Sequence, residues 1–157
     1  GTPFGASTTT SPAGSHSFGQ QTWKKPLAEI AAAHHIPYVA TASVGYPLDF
    51  VEKMKKAAAV KGPALVHVYA PCPTGWRCAS NIAIRLGRLA VQCGAFPLYE
   101  VIDGKYKMSF DLPFLKPLKS YVKSQGRFRH LTDDLIAELE QGLVERYNDL
   151  KAKAEQG

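Results

Sequence analysis

The run at residues 62–78, GPALVHVYAPCPTGWRC, constrains this chain more than any other stretch. Six of the seven residues at 64–70 are apolar or aromatic, His67 being the exception. So short an apolar run, held between Gly62-Pro63 and Pro71, predicts a buried strand, the central one of its sheet. Pro71, Pro73 and Gly75 around Cys72 continue neither a strand nor a helix, so the thiol belongs to a fixed loop. In open α/β sheets ligands bind just outside the carboxyl ends of strands. The Cys72 loop is therefore the first place to look for chemistry.

Elements of alternating type flank this strand. Pro26 suits a first helical turn, and Leu27, Ile30, Ala31 and His34 follow at helical spacing until His35-Ile36-Pro37 ends the pattern. Residues 38–42 read as a strand. Pro47 opens a second helix with Phe50, Val51, Met54, Ala57 and Ala58 on one face and Glu52, Lys53, Lys55 and Lys56 on another, and Gly62 ends it. A buried helix is expected over 80–93, closed by Gly94. This alternation is the signature of an α/β fold in which helices cover a parallel sheet.

Residues 96–101 and 106–110 flank Asp103-Gly104 as a β-hairpin. Residues 111–130 read as a connector, and 132 to about 154 as a long helix. Thr132 is its N-cap, and Leu131 and Ile136 are spaced as a hydrophobic staple. Three units follow: a loop or interface segment at 1–21, an α/β body at 22–110, and a connector with a terminal helix at 111–157. The first unit, rich in Gly, Ser, Thr and Pro, reads as a long loop or a disordered tail. A chain that begins so, and at Gly1, looks cut from something larger.

A length of 157 residues suits one domain, and 45% apolar with 20% charged residues suits a globular protein. No run reaches the ~18 apolar residues of a membrane helix, and no signal peptide opens the sequence. No membrane insertion is expected, and three cysteines without a CxxC argue for a reducing, cytoplasmic setting. A net charge of +6 invites a nucleic-acid reading. The one basic run, Lys116, Lys119, Lys123, Arg127 and Arg129 with Tyr121 and Phe128 interleaved, carries no nucleic-acid motif, so a solvated surface is the better reading.

Cys72 has three readings: a nucleophile, a metal or cluster ligand, or a structural thiol. None of the five histidines stands at a telling spacing for a nucleophile's base. A [4Fe–4S] cluster needs about four thiolates. The chain has three cysteines, so the partners of a ligating Cys72 would lie mostly outside it. Cys93, beside Leu89 on an apolar stripe, reads as core; Cys78, six residues after Cys72, is open to two readings, a thiol that approaches a shared site or, the better one, a surface thiol. No P-loop, GxGxxG, HExxH, GxSxG or EF-hand pattern occurs.

The runs TPFGASTTTSPAG (2–14), AAAHHIPYVATAS (31–43), GPALVHVYAPCPTGW (62–76) and IRLGRLAVQCGAFPLYEVIDGKY (84–106), in that order, resemble the β subunit of the pyruvate:ferredoxin and 2-oxoacid:ferredoxin oxidoreductases. The resemblance is to the C-terminal half of that subunit, part of a thiamine-diphosphate-binding α/β domain. It implies a CoA-dependent oxidative decarboxylation of pyruvate to acetyl-CoA and CO2, or its reverse, with electrons passing through [4Fe–4S] clusters to ferredoxin. The alternatives are 2-oxoisovalerate or another 2-oxoacid as substrate, or a non-catalytic assembly module of the same fold.

The same resemblance implies that Cys72 is the one cluster ligand from this half, and that Thr2, Pro3, Phe4 and Gly5 lie near thiamine diphosphate. The residues that hold the diphosphate and Mg2+, and the other cluster cysteines, belong to the N-terminal half. The implied partners are that half, an α subunit, ferredoxin, pyruvate and coenzyme A. The chain would be inactive alone, and its basic 116–129 run would face another subunit.

Overall fold

The computed structural model describes residues 2–156. Gly1 lies outside the described residues. In chain order the elements are β1 (Ala13–Gly14), β2 (Ser17–Phe18), α1 (Leu27–Ala33), β3 (Tyr38–Ser43), α2 (Pro47–Ala59), β4 (Ala64–Tyr69), α3 (Pro73–Trp76), α4 (Ala83–Gln92), β5 (Tyr99–Ile102), β6 (Lys105–Met108), α5 (Leu118–Lys123) and α6 (Asp133–Glu155). Short 3-10 turns precede α4 at Ser80–Ile82 and follow α5 at Gly126–Phe128.

The expected α/β architecture is present, with helices flanking one four-stranded sheet of order β4-β3-β5-β6. The sheet is mixed. β3 and β4 run parallel, joined by α2, with Thr41 opposite His67. β5 runs antiparallel to β3, and β6 returns beside it through the two-residue turn at Asp103-Gly104. Both turn residues have positive φ (48° and 82°), as a tight hairpin requires.

β4 is not the central strand in this chain. It is an edge strand that pairs with β3 alone among the described residues, and it is half-buried along most of its length. The central position belongs to β3, whose six residues are all buried.

Two helices turn other faces inward than their apolar spacing suggests. In α1 the buried positions are Ala28 and Ala31, while Leu27 and Ile30 stay exposed, because only the small side chains let the helix approach the sheet. In α2 the buried residue is Lys53, and Leu48, Val51 and Met54 face outward. Lys53 is 1% exposed, and its Nζ donates to the Thr41 carbonyl (2.8 Å), Asp49 Oδ2 (2.8 Å) and Ser109 Oγ (2.6 Å). Burial lowers the Lys53 pKa, and the Asp49 carboxylate opposes that shift. Lys56, from the next turn, reaches both oxygens of buried Glu100, which also accepts the Tyr38 hydroxyl at 2.6 Å. Ionic bonds thus hold α2 against the sheet where an apolar face was expected.

The segment read as a connector is core. Leu118, Tyr121, Val122, Gln125, Arg127 and Phe128 are all buried. The basic run is therefore no continuous surface: Lys116, Lys119, Lys123 and Arg129 face out, while Arg127 points inward between aromatic rings. α6 starts as its sequence predicts, with Thr132 Oγ1 accepting the Leu135 N–H and Leu131 and Ile136 both buried. No helix among the described residues is long and apolar enough to cross a membrane.

Candidate functional site

β4 delivers the chain to Pro71, and Cys72 follows as the N-cap of the single turn α3. The Cys72 thiol is exposed, and its Sγ accepts the Gly75 N–H at 3.4 Å. Two backbone bonds close the turn, Trp76 N–H to the Cys72 carbonyl (2.9 Å) and Cys78 N–H to the Pro73 carbonyl (3.0 Å). Arg77 then leaves in the left-handed conformation (φ 54°). Its carbonyl accepts the Gly126 N–H at 3.0 Å, and a Cβ on Gly126 would sit 2.8 Å from Arg77 Cβ. Glycine lets the two backbones meet, so the thiol is carried on a loop anchored at both ends.

The N-terminal segment, read as a long loop or a disordered tail, is a loop fastened to the same 3-10 turn. Ser7 N–H donates to the Arg127 carbonyl at 2.7 Å, and Gly5 N–H to the Gln20 carbonyl at 2.7 Å. Gly5 is left-handed (φ 76°) with Leu131 3.3 Å from where a side chain would begin, and Ala6 is fully buried. Phe4 stacks on Trp23 with ring centroids 4.9 Å apart, and Thr2 and Pro3 are half-buried beside it. Backbone hydrogen bonds restrain what composition left open. Residues 2–7 and the Cys72 loop thus share one anchor at Gly126–Phe128.

Between these segments lies a cavity of about 250 Å3, with Phe4, His67, Tyr69, Trp76, Lys24 and Arg127 among its walls. Arg127 is 5% exposed and stacks over Trp76 at 4.0 Å from the ring centroid. Its Nε donates to Gln125 Oε1 (2.9 Å) and its Nη2 to Tyr121 OH (3.4 Å), which meets Tyr69 OH at 2.6 Å. Neither Lys24 nor Arg127 forms an ion pair among the described residues. Burial lowers the Lys24 pKa and the Arg127 charge adds to the shift; burial and Lys24 likewise lower that of His67, which is neutral at pH 7. Lys24 and the inward Arg127 are what sequence reasoning missed. The one signal was the pair of aromatic residues, Tyr121 and Phe128, close to Arg127.

The other two thiols are less exposed than Cys72. Cys93 is buried as expected, and burial pushes its pKa up to about 11, so it stays a neutral thiol. Cys78 is half-buried, with part of its surface exposed and part packed against the main core. Among the described residues no three His, Cys, Asp or Glu side chains are grouped to hold a metal ion. Cys72 is fit to be one ligand of a larger set: exposed, fixed, and with a backbone N–H aimed at its sulfur.

No family model matches the chain. Curated relatives do. Over 140 residues, 89% of this chain and 49% of the relative, it is 48% identical to "Pyruvate synthase subunit PorB" of Methanothermobacter marburgensis. It is 47% identical over 152 residues to the protein of the same name from Methanocaldococcus jannaschii (97% of this chain, 49% of the relative). It is 44% identical over 156 residues to "Ketoisovalerate oxidoreductase subunit VorB" of Pyrococcus furiosus (98% of this chain, 50% of the relative). The chain spans about half the length of the curated relatives it matches. It is a homologue of the B subunits of pyruvate synthase and ketoisovalerate oxidoreductase, related along nearly all of its own length.

Proposed function

We propose that this chain is the C-terminal half of the catalytic β subunit of a CoA-dependent 2-oxoacid:ferredoxin oxidoreductase, with pyruvate as the leading substrate, and that Cys72 is one ligand of a [4Fe–4S] cluster. The observation that carries the proposal is the likeness of 44–48% along nearly the whole chain to subunits named for pyruvate synthase and ketoisovalerate oxidoreductase. The Cys72 loop agrees with it. The thiol is exposed where β4 ends, and Gly126 and the turn's own hydrogen bonds fix its place. The Gly75 N–H at Sγ adds a hydrogen bond of the kind that tunes cluster-bound thiolates. The three remaining thiolates come from the half of the subunit outside these residues.

Thiamine diphosphate, when bound, supplies the carbanion chemistry that releases CO2 from a 2-oxoacid. The residues that hold its diphosphate and Mg2+ also lie outside this chain. Thr2, Pro3, Phe4 and Gly5 contribute a wall at its site: the Phe4 ring is fixed by Trp23, and the backbone at Gly5 by Gln20. Pyruvate and 2-oxoisovalerate differ only in the apolar group beside the reacting carbonyl. Since both kinds of relative match at similar identity, 2-oxoisovalerate is the second reading.

The test is made on the complete oxidoreductase, with coenzyme A and either 2-oxoacid. Ferredoxin reduction faster with pyruvate is expected, and faster with 2-oxoisovalerate selects the second reading. Cys72→Ala is expected to remove one cluster's iron and sulfide and with them ferredoxin reduction, while Cys78→Ala keeps both. Full iron content and full activity in Cys72→Ala overturn the assignment.

A further inference from the structure

The cavity beside the Cys72 loop carries positive charge that this chain does not balance. Lys24 and Arg127 stand among its walls, and Arg146, over the Trp23 ring at 5.1 Å, is a third cation there. None of the three forms an ion pair among the described residues. The one acid among the walls is Glu29, and its carboxylate is already paired with Lys153.

Arg127 is built into the fold but only partly satisfied. A guanidinium has five N–H donors. Nε donates to Gln125 and Nη2 to Tyr121 OH, while Nη1 has no acceptor among the described residues. Yet the one side-chain nitrogen or oxygen there that is sealed in without a partner is Tyr147 OH. Nη1 therefore meets open space, and the cavity is the open space that Arg127 borders. A buried cation without a counter-ion is costly. Like charge adds to the cost, since Arg127 reinforces the effect of burial in lowering the Lys24 pKa. An anion in the cavity relieves both groups at once.

The other walls are mainly apolar, and their rings hold one another in place. Phe4 stacks on Trp23, and Tyr69 packs against Trp76 at 5.3 Å and Phe96 at 4.8 Å between centroids. The space is thus largely pre-formed, with few polar groups converging on it. A cavity of about 150 Å3 holds benzene, so one of about 250 Å3 suits roughly ten non-hydrogen atoms. A compact anion leaves the rings uncovered, and a neutral arene leaves the cations unpaired.

We propose that this cavity binds a small organic carboxylate with an apolar body, about the size of phenylacetate, its carboxylate held by Arg127 and Lys24 and its body by the surrounding rings. The proposal goes beyond the oxidoreductase reading and stands on the cavity alone.

The experiment is fluorine NMR of 4-fluorophenylacetate with the purified complete oxidoreductase. Binding is expected, and phenylacetamide, which keeps the body and loses the charge, should compete at least about tenfold less well than phenylacetate, the scale of a charge-assisted hydrogen bond. Pyruvate, a carboxylate without the apolar body, should likewise compete at least about tenfold less well. Lys24→Met is expected to weaken the probe about tenfold or more, with Lys24→Arg close to the parent. No binding to the parent, as when an acidic side chain from outside these residues already fills the space, overturns the proposal. So does equal competition by the amide or by pyruvate, or an unchanged affinity in Lys24→Met. Binding is read without turnover, so its failure is separate from that of the oxidoreductase reading, which iron content and ferredoxin reduction test.

Discussion

The two edges of the sheet are built to opposite rules. β6 is four residues long, its Lys105 and Lys107 side chains are exposed, and a tight turn ties it to its neighbour. Charge and brevity make it a poor template for a further strand. β4 is six residues long, carries no charge, and leads into the Cys72 loop. One edge is finished as a boundary and the other is not. The finished edge belongs to the end of the fold that this chain completes by itself. The uncharged one leads into the segment that carries the candidate ligand.

Substitutions at the two edges should therefore behave differently in the complete subunit. The largest effect is expected for Val66→Pro, which removes an N–H with no partner inside this chain. If β4 is interior, the neighbour's carbonyl is left unpaired at a cost of about 2–3 kcal/mol, and the yield of assembled oxidoreductase falls sharply. An unchanged yield would make β4 a true edge. Next come two glycines, one packed against Arg77 of the Cys72 loop and one in the β5–β6 turn. Gly126→Ala drives a Cβ to 2.8 Å from Arg77 Cβ and 3.0 Å from its carbonyl. Overpacking of this kind costs about 1–3 kcal/mol, and iron content should drop with it as the Cys72 loop shifts. Gly104→Ala meets open space but must adopt φ +82°. It should lower the unfolding free energy by about 1 kcal/mol with iron content unchanged.

A smaller effect lies between the edges. Burial raises the Glu100 carboxyl, but hydrogen bonds from Lys56 and Tyr38 outweigh it and hold the pKa below its ordinary 4.5. A depressed carboxyl contributes stability that is present above the ordinary value and lost as pH falls through the folded-state value. Glu100→Gln should thus destabilise the protein at pH 7 and converge with the parent as pH falls through the lowered folded-state value, as followed by denaturation midpoints. The smallest change in stability is expected for Lys107→Val, within about 0.5 kcal/mol for an exposed site. Its signature is instead a rise in self-association by light scattering, since the charge that blunts the β6 edge is gone.

Much of this arrangement is legible in the residues. The β4 run, the Asp103-Gly104 turn and the Thr132 cap each carry a local physical signal, and each element forms where that signal lies, whereas Pro73 and Gly75, read as barring a helix, lie inside the single turn α3. Reading β4 as central came from its short apolar run between Gly62-Pro63 and Pro71, but in this sheet β4 lies at the edge and β3 is central. The inward side of α2 was hidden for a different reason. Lys53 is buried because Asp49, Ser109 and the Thr41 carbonyl satisfy its three protons, and two of those partners come from other elements. Arg127 looked like one charge in a basic run, but its place is set by Trp76 and Phe128, on which it stacks. The order of residues 2–7 depends likewise on Gln20 and Arg127. Long-range partners decide these positions, and local spacing carries no trace of them.

The central claim is that Cys72 completes a cluster shared with the rest of the subunit. Low-temperature EPR of the reduced oxidoreductase, compared with its Cys72→Ala variant, addresses it most directly. Loss or conversion of one [4Fe–4S] signal with the other signals intact is the predicted result. Identical spectra, with iron and sulfide unchanged, would contradict it and return Cys72 to the role of an exposed structural thiol.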